Sequence, residues 1–437
     1  MKYSKKIQSL ISKGKIGDEI LIESSKGTFF GTLMPRPEIG DKDSLIIKLK
    51  NGYNIGIKSK NIRSVKVIKK MEEKKAIREI HFDKSKPNIS LFATGGTIAS
   101  KIDYDTGAVK ALMNPQEILD TIPELSNIVN IADISRPFTK MSEDMEPNDW
   151  ISLAKGIYKK IENGSKGIIV THGTDTLHYT SAALSFFLQK PSVPIVLVGA
   201  QRSSDRPSTD AHMNLICSAY TSLSDISEVG ICMHATMNDD YCYFIRGTKV
   251  RKMHTSRRDA FRPINDLPLA KIWPNGKIEK LQDYHKRGGK TILDTKFDNK
   301  VALLKTYPGS NPGIMKYLID KGYHGFVLEG TGLGHVPTNS KNSWIPIIKK
   351  SIKDGIPVVV TSQTIYGRVN PNVYTNLRVL YHESKAIPGE DMLSETAYIK
   401  LGWVLGHTKD MDKIREMMLT NVSGEINSRS NPKTFLW

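Results

Sequence analysis

A threonine that follows two glycines, Thr97, is the first residue of this sequence whose surroundings suit catalysis. It ends the turn Thr94-Gly95-Gly96-Thr97, which follows the apolar run 89–93. Paired glycines let the backbone turn sharply and approach a ligand closely, and open α/β sheets bind ligands at the carboxyl ends of their strands. A threonine hydroxyl at that edge could act as a nucleophile if a neighbour accepted its proton and N–H groups stabilised the oxyanion. Taken alone, the turn is also typical of a plain strand-to-helix loop or of a phosphate loop without its lysine.

A second polar turn, Thr171-His172-Gly173-Thr174-Asp175-Thr176, follows the apolar run 167–170. Parallel strands end at the same edge of a sheet, so we expect Thr174 and Asp175 to face the same crevice as Thr97. Asp175 could bind an ammonium group, and Thr174 could hydrogen-bond a water or a substrate. The alternative for Asp175 is a helix N-cap, where aspartate is common. We interpret His172 as structural rather than as a general base, because it lies so close to the end of the strand.

Lys252 is a third candidate, within the stretch Arg251-Lys252-Met253-His254-Thr255. A lysine in a polar loop is ordinary by itself. If Lys252 were buried beside Thr174 and Asp175, the three groups could pass protons to one another. Three nearby arginines are interpreted as solvated loop charges: Arg251, Arg257 and Arg258.

Apolar runs alternate with helical stretches from residue 88 onwards. The sequence predicts a helix at 176–188 and two sets of strands, at 89–93, 167–171, 194–199 and 229–233, and at 301–307, 325–329 and 357–362. Such alternation is typical of α/β architecture with a mainly parallel sheet. The predicted fold class is therefore α/β, with a small N-terminal β-barrel followed by two α/β domains.

The N-terminal β-barrel is predicted from a different pattern in the first 70 residues. Short apolar runs lie between turn residues at 17–24, 27–34, 44–50 and 53–57, with a possible fifth at 61–68. Five short strands indicate a small SH3-like barrel over 1–70, with a linker over 71–87. Residues 1–80 contain 19 Lys/Arg against 9 Asp/Glu, within a chain of net charge +18. The surplus indicates either an anionic partner such as RNA or general solubility.

The composition argues against several classes of protein. No stretch approaches the roughly 20 apolar residues of a membrane helix, and the N-terminus lacks the apolar core of a secretory signal, so we expect a cytoplasmic protein. Cys217, Cys232 and Cys242 lack CxxC spacing and nearby paired histidines. This pattern argues against a zinc site or a disulfide framework, and it favours buried, reduced thiols.

The turns around Thr97 and Thr174, together with Gly199-Ala200-Gln201-Arg202, resemble the bacterial-type L-asparaginase and glutaminase family over residues 88–420. That resemblance implies two α/β domains of the asparaginase/glutaminase type, with a metal-free site at a dimer-like interface. It also implies roles for six residues. Thr97 would be the nucleophile, and Thr174, Asp175 and Lys252 would form a proton relay, with Asp175 also binding the substrate ammonium group. Tyr104 would be the activating tyrosine of a mobile lid, and Ser142 would hold the substrate carboxylate. One departure is that residues 372–378 contain no Asp or Glu, whereas periplasmic asparaginases take an acidic residue there from a neighbouring subunit.

Three further strings, at 204–211, 389–393 and 424–430, are similar to the glutaminase subunits of archaeal tRNA-dependent amidotransferases. That resemblance implies hydrolysis of glutamine to glutamate and ammonia, with no cofactor in this chain. It further implies a homodimer of this chain and a partner E subunit that uses ATP and Mg²⁺ to convert Glu-tRNA(Gln) to Gln-tRNA(Gln) and makes most of the tRNA contacts. A free cytoplasmic L-asparaginase is the alternative, and a non-catalytic scaffold is a third. The expected domains are 1–70 (barrel), 88–290 and 299–420 (α/β), with a tail at 421–437.

Overall fold

The computed structural model describes residues 3–36, 41–49, 54–70, 83, 85–96, 122, 124–202 and 209–436, with the backbone of 100–102 and 109–111. Its N-terminal part is an antiparallel five-stranded sheet. The strands, in spatial order, are Asn54–Lys58, Ser44–Lys48, Gly27–Leu33, Glu19–Ser24 and Ile62–Lys69. Apolar residues alternate along the strands, as at Ile20 and Ile22, and the helix Lys5–Leu10 adds Ile7 to the same core. The five strands agree with the sequence prediction, whereas the helix was not predicted.

The second sheet has eight strands and carries the turns that follow the first set of apolar runs. In spatial order the strands are Ile278–Lys280, Ala270–Ile272, Cys242–Arg246, Val229–His234, Ile195–Val198, Ile168–Thr171, Asn88–Ala93 and Asn130–Ser135. The last five run parallel, and the first three are antiparallel. The prediction of a parallel sheet is therefore right for the half that carries the site, and the antiparallel extension was not predicted.

Helices cover the eight-stranded sheet, which explains why its central strands are apolar on both faces. The helices are Leu125–Ile128, Pro147–Glu162, Leu177–Phe187 and Ala211–Leu223. Pro147–Glu162 begins at a capping box formed by Glu146 and Asp149, with proline in the first turn. Leu177–Phe187 is almost wholly buried.

A third sheet, parallel and four-stranded, forms the C-terminal α/β unit. Its strands, in order, are Val301–Lys305, Gly325–Gly330, Val358–Ser362 and Ile387–Pro388. The helices of this unit are Gly313–Asp320, Ile345–Lys353, Thr375–Arg378, Ser394–Leu405 and Met411–Leu419, with a π-helical turn at Val379–Glu383. The first three strands agree with the second predicted set, whereas Ile387–Pro388 was not predicted.

The helix Ser394–Leu405 joins the two α/β units. It is buried at nearly every position, and it packs on both the helix Leu177–Phe187 and the C-terminal sheet. Phe186 and Trp403 stack with their ring centroids 5.8 Å apart. One continuous apolar core therefore spans both units.

Three short two-stranded ribbons and three 3-10 turns complete the described elements. The ribbons are Ser100–Ile102 with Val109–Ala111, Leu188–Gln189 with Ile292–Leu293, and Val250–Lys252 with Phe261–Pro263. The 3-10 turns are Ser59–Asn61, Ser142–Asp144 and Pro432–Thr434. Among the helices of the described ranges, none has the length and apolar character needed to cross a membrane.

Candidate active site

The two glycine-containing turns meet at the carboxyl edge of the parallel strands. Gly96 has φ +83°, and a Cβ built there would lie 2.3 Å from the amide nitrogen of Gly173. A Cβ on Gly173 would in turn lie 2.7 Å from Cβ of Ser142. Side chains at these two glycines would force the turns apart. The glycines therefore bring the turn before Thr97, the turn before Thr174 and the segment at Ser142 into contact.

Hydrogen bonds hold this contact in place. The backbone N–H and the hydroxyl of Thr94 both donate to the carbonyl of Thr171, at 3.1 Å and 2.9 Å. The N–H of Lys140 donates to the carbonyl of Thr94, and the hydroxyl of Thr176 donates to the carbonyl of Ser142. Three segments far apart in sequence are thereby fixed at one edge.

Lys252 lies between Thr174 and Asp175. Its Nζ donates to Oγ1 of Thr174 at 2.9 Å and to Oδ1 of Asp175 at 2.6 Å. The side chain of Lys252 is 10% exposed, and Thr174 is 8% exposed. The carboxylate of Asp175 is 66% exposed and faces an open cavity. Hydrogen bonds between charged groups are among the stronger ones in proteins. The arrangement can exchange protons between a threonine hydroxyl and an amine. The Asp175 carboxylate, which pairs with Lys252 through Oδ1 and is largely exposed, can also bind a cationic group.

The other predicted site residues lie partly outside the described residues. Thr97 and Tyr104 belong to segments that the structure does not describe, as does most of the string 204–211. Ser142 is described and buried, beside Gly173, at the start of its 3-10 turn. The structure therefore brings Ser142, Thr174, Asp175 and Lys252 to one edge of the sheet.

His172 belongs to a buried hydrogen-bond chain. The indole N–H of Trp150 donates to Oγ1 of Thr180, whose hydroxyl donates to Nε2 of His172, at 3.0 Å and 2.9 Å. Nδ1 of the ring then donates to the carbonyl of Gly173 at 2.7 Å. Burial lowers the pKa of His172 to about 4, so the ring is neutral. This arrangement supports the structural interpretation of His172, because its ring holds the carbonyl of Gly173 in place.

The structure also bears on the alternatives for the charged residues. Asp175 is not the helix N-cap: that position is held by Thr176, without a side-chain capping bond. Each of the three arginines forms an ion pair: Arg251 with Glu395, Arg257 with Asp259, and Arg258 with Asp239. Arg257 is 49% exposed, whereas Arg258 is only 12% exposed.

A cavity of about 480 Å³ opens beside Asp175 and Lys252. Its walls are Asp175, His178, Tyr179, Arg251, Lys252, Met253, His254, Thr255 and Glu395. Sequence reasoning missed three of these residues. His178 and Tyr179 lie in the first turns of a helix, and Glu395 comes from the C-terminal unit without any motif that marks it. Burial lowers the pKa of His178 to about 3, with Arg251 and Lys252 acting in the same direction.

The three cysteines are buried and form no disulfide. Cys217 lies in the helix Ala211–Leu223, and Cys232 and Cys242 lie in neighbouring strands of the large sheet. Within the part of the chain that the structure describes, no group of His, Cys, Asp or Glu side chains could hold a metal ion.

Known families and proteins match nearly the whole chain. The family described as "Asparaginase, N-terminal" matches residues 88–285, "Glutaminase/Asparaginase C-terminal domain" matches 300–418, and "GatD N-terminal domain" matches 15–68. The D subunit of the glutamyl-tRNA(Gln) amidotransferase of Pyrococcus horikoshii is 50% identical, over 98% of this chain and 95% of that protein. The protein of the same name from Thermococcus kodakarensis is also 50% identical, over 96% of each chain.

A solved structure, the thermostable L-asparaginase from Thermococcus kodakarensis, has the same fold over the α/β part. It is 29% identical with a TM-score of 0.70, and the match covers 78% of this chain and 100% of that chain.

Proposed function

We propose a mechanism from the premise that this chain belongs to the family of glutamyl-tRNA(Gln) amidotransferase D subunits. Within that family it is an amidohydrolase, the glutaminase component of a tRNA-dependent amidotransferase. The reaction is hydrolysis of the side-chain amide of glutamine.

In the proposed reaction, the hydroxyl of Thr97 attacks the amide carbon and transfers its proton to the relay. The C–N bond breaks, ammonia leaves with a proton returned by the relay, and an ester joins Thr97 to the glutamyl group. Water then cleaves this ester, which releases glutamate and restores the hydroxyl. Backbone N–H groups of the converging turns would stabilise the oxyanion.

One observation carries this proposal: Nζ of Lys252 lies within hydrogen-bond distance of both Thr174 and Asp175, at the edge that the turn before Thr97 also reaches. Lys252 would accept and return the proton, and Thr174 would relay it. Asp175, whose carboxylate faces the cavity, would also bind the substrate ammonium group. Ser142 would hold the substrate carboxylate, and Tyr104 would close over the site.

The ammonia would be used by a partner E subunit. That subunit would bind ATP and Mg²⁺, activate Glu-tRNA(Gln) and provide most of the tRNA contacts, in a complex built on a homodimer of this chain. The domains of this chain would be 1–70, 88–290 and 299–420, with a linker at 71–87 and a tail at 421–437.

The alternative, a free L-asparaginase, fits less well. The asparaginase structure leaves about a fifth of this chain unmatched, whereas the D subunits match it almost from end to end. The N-terminal sheet belongs to the part that a family model of D subunits recognises.

The test is ammonia release by the purified chain from glutamine or asparagine, with and without the E subunit and Glu-tRNA(Gln). We expect weak glutamine hydrolysis by the isolated chain and a sharp rise with both partners, since closure of a lid commonly gates such sites. Rapid asparagine hydrolysis that does not respond to tRNA would favour the alternative.

Replacement of the nucleophile tests the chemistry. Thr97→Ala should abolish glutamine hydrolysis, because no hydroxyl remains to form the ester, while the thermal unfolding midpoint stays close to that of the parent. Thr97→Ser is the matched variant, and it should retain measurable turnover. Normal turnover by Thr97→Ala would exclude Thr97 as the nucleophile.

A further inference from the structure

The strand that carries Lys252 has two different faces. Successive side chains of a strand point to opposite sides. Val250 is buried in the apolar core, and Lys252 reaches Thr174 and Asp175. Lys249 and Arg251 contact the C-terminal α/β unit, and Arg251 and Glu395 also line the cavity beside Lys252.

Three contacts join residues 248–251 to the C-terminal unit. Nζ of Lys249 donates to Oδ2 of Asp391 at 2.7 Å, and their side chains are 0% and 2% exposed. Nε of Arg251 donates to Oε1 of Glu395 at 2.7 Å. The hydroxyl of Thr396 donates to the carbonyl of Thr248 at 2.9 Å. Residues 391–396 therefore hold residues 248–251 from one side.

The segment that holds the strand is itself fixed. Oδ1 of Asp391 accepts the N–H of Asn427 at 3.0 Å, and its carbonyl accepts Nδ2 of Asn265 at 3.1 Å. Glu395 and Thr396 lie in the first turn of the buried helix Ser394–Leu405. The core that both α/β units share fixes the position of this helix. The helix in turn fixes the strand through the contacts of Glu395 and Thr396.

We propose that Asp391, Glu395 and Thr396 are positioning residues for Lys252. They fix the strand so that Nζ of Lys252 stays within hydrogen-bond distance of Thr174 and Asp175. The inference rests on the proposed relay. It gives the C-terminal unit an indirect role in catalysis, which is to position Lys252. A displacement of about 1 Å at a reacting group can cost on the order of 100-fold in rate.

The test uses glutaminase kinetics of the full chain with its E subunit and Glu-tRNA(Gln). Glu395→Ala removes the acceptor for Arg251, and we expect kcat to fall roughly 10- to 100-fold while KM for glutamine is unchanged. Glu395→Gln keeps an oxygen that can accept from Arg251, so it should recover most of the lost kcat. A residue needed only for folding would not show this combination of kcat loss, constant KM and recovery.

Two variants of Thr396 test the proposal even if Glu395→Ala does not fold. Thr396→Val keeps the shape of the side chain and removes the hydroxyl that donates to Thr248, whereas Thr396→Ser keeps the hydroxyl. We expect the valine variant to lose kcat and the serine variant to retain it.

Three outcomes would overturn the proposal. The first is a normal kcat in both Glu395→Ala and Thr396→Val, and the second is an equal loss of kcat in Thr396→Val and Thr396→Ser. The third is a raised KM for glutamine with a normal kcat in Glu395→Ala. The last would place Glu395 in substrate binding. Lys252→Met, measured in parallel, separates this inference from the proposed function. If Lys252→Met is active, the relay itself is wrong; if it is inactive while the Glu395 and Thr396 variants are normal, only the positioning role fails.

Discussion

Thr174 offers a precise test at the scale of single residues, because valine has nearly its shape without the hydroxyl. In Thr174→Val, Nζ of Lys252 loses one of its two partners at the site. Proton transfer by a positioned group typically contributes about 10²- to 10⁴-fold, so we expect a loss of that order in kcat for glutamine. The free energy of unfolding should change by only about 1 kcal/mol, as measured by urea titration.

The control for this change is Thr420→Val, at an exposed threonine whose hydroxyl donates to the carbonyl of Glu416. It should leave kcat unaltered. Full activity of Thr174→Val would remove Thr174 from the relay and leave Lys252 with Asp175 alone.

The residues that could be predicted from the sequence are those that lie in short motifs. Thr174 and Asp175 stand next to each other after an apolar strand, and Lys252 was found through the resemblance to a known family. The roles of Asp391 and Glu395 could not be predicted, because they contact Lys249 and Arg251 across more than 140 positions. Asp391 lies in the string 389–393, but nothing in that string indicates Lys249 as its partner. Contacts of this kind depend on how two domains pack, which local sequence does not specify.

At the scale of elements, the site depends on how closely its turns approach each other. In Gly173→Ala, the new methyl group would lie 2.7 Å from Cβ and 2.8 Å from Oγ of Ser142. One of the two turns must move, so we expect a destabilisation of about 1–3 kcal/mol together with a large loss of glutaminase activity. Thermal unfolding and kcat measured on the same preparation check both effects.

Gly313→Ala is the matched control, because a Cβ there would approach only the side-chain end of Asn311, at 3.0 Å. Alanine also favours the helix that begins at this residue, Gly313–Asp320. Stability should be equal or slightly higher, with normal activity. Equal activity of Gly173→Ala and the parent would show that the site tolerates wider spacing of its turns.

Strands were predictable where both faces are buried. Ile168–Thr171 and Ile195–Val198 are apolar throughout because helices cover the sheet on each side. The antiparallel strands Ala270–Ile272 and Ile278–Lys280 have only three residues each, too few to show a period of two. The strand Val250–Lys252 is equally short, so it was not predicted either.

At the scale of the whole molecule, one apolar core extends across both α/β units. The C-terminal unit and the N-terminal sheet each have a further core of their own. Val327 and Val359 of the C-terminal sheet belong to the same cluster as Ile169 of the large sheet. We therefore expect the two α/β units to unfold together. Several buried histidines lie within or beside this shared core, which makes its stability sensitive to pH.

Burial lowers the pKa of His172 to about 4 and that of His178 to about 3, from an ordinary 6.5. The unfolded chain therefore binds more protons than the folded one between about pH 4 and 6.5, so the stability falls as the pH drops through this range. Each histidine should contribute a slope of about 1.4 kcal/mol per pH unit. Most carboxylates titrate below pH 5, so urea unfolding at pH 7, 6 and 5 reports mainly on the histidines.

The variant His172→Asn tests whether His172 contributes to this dependence of the free energy of unfolding on pH. Its amide N–H can donate to the carbonyl of Gly173 as Nδ1 does, but it cannot take up a proton in this pH range. The variant should be less stable at pH 7, because Thr180 loses its acceptor, and its stability should then fall less steeply towards pH 5. His285→Asn, at an exposed histidine, is the control. An unchanged slope in His172→Asn would mean that His172 is already protonated in the folded chain, with Oγ1 of Thr180 accepting from both Nε2 of His172 and the indole N–H of Trp150.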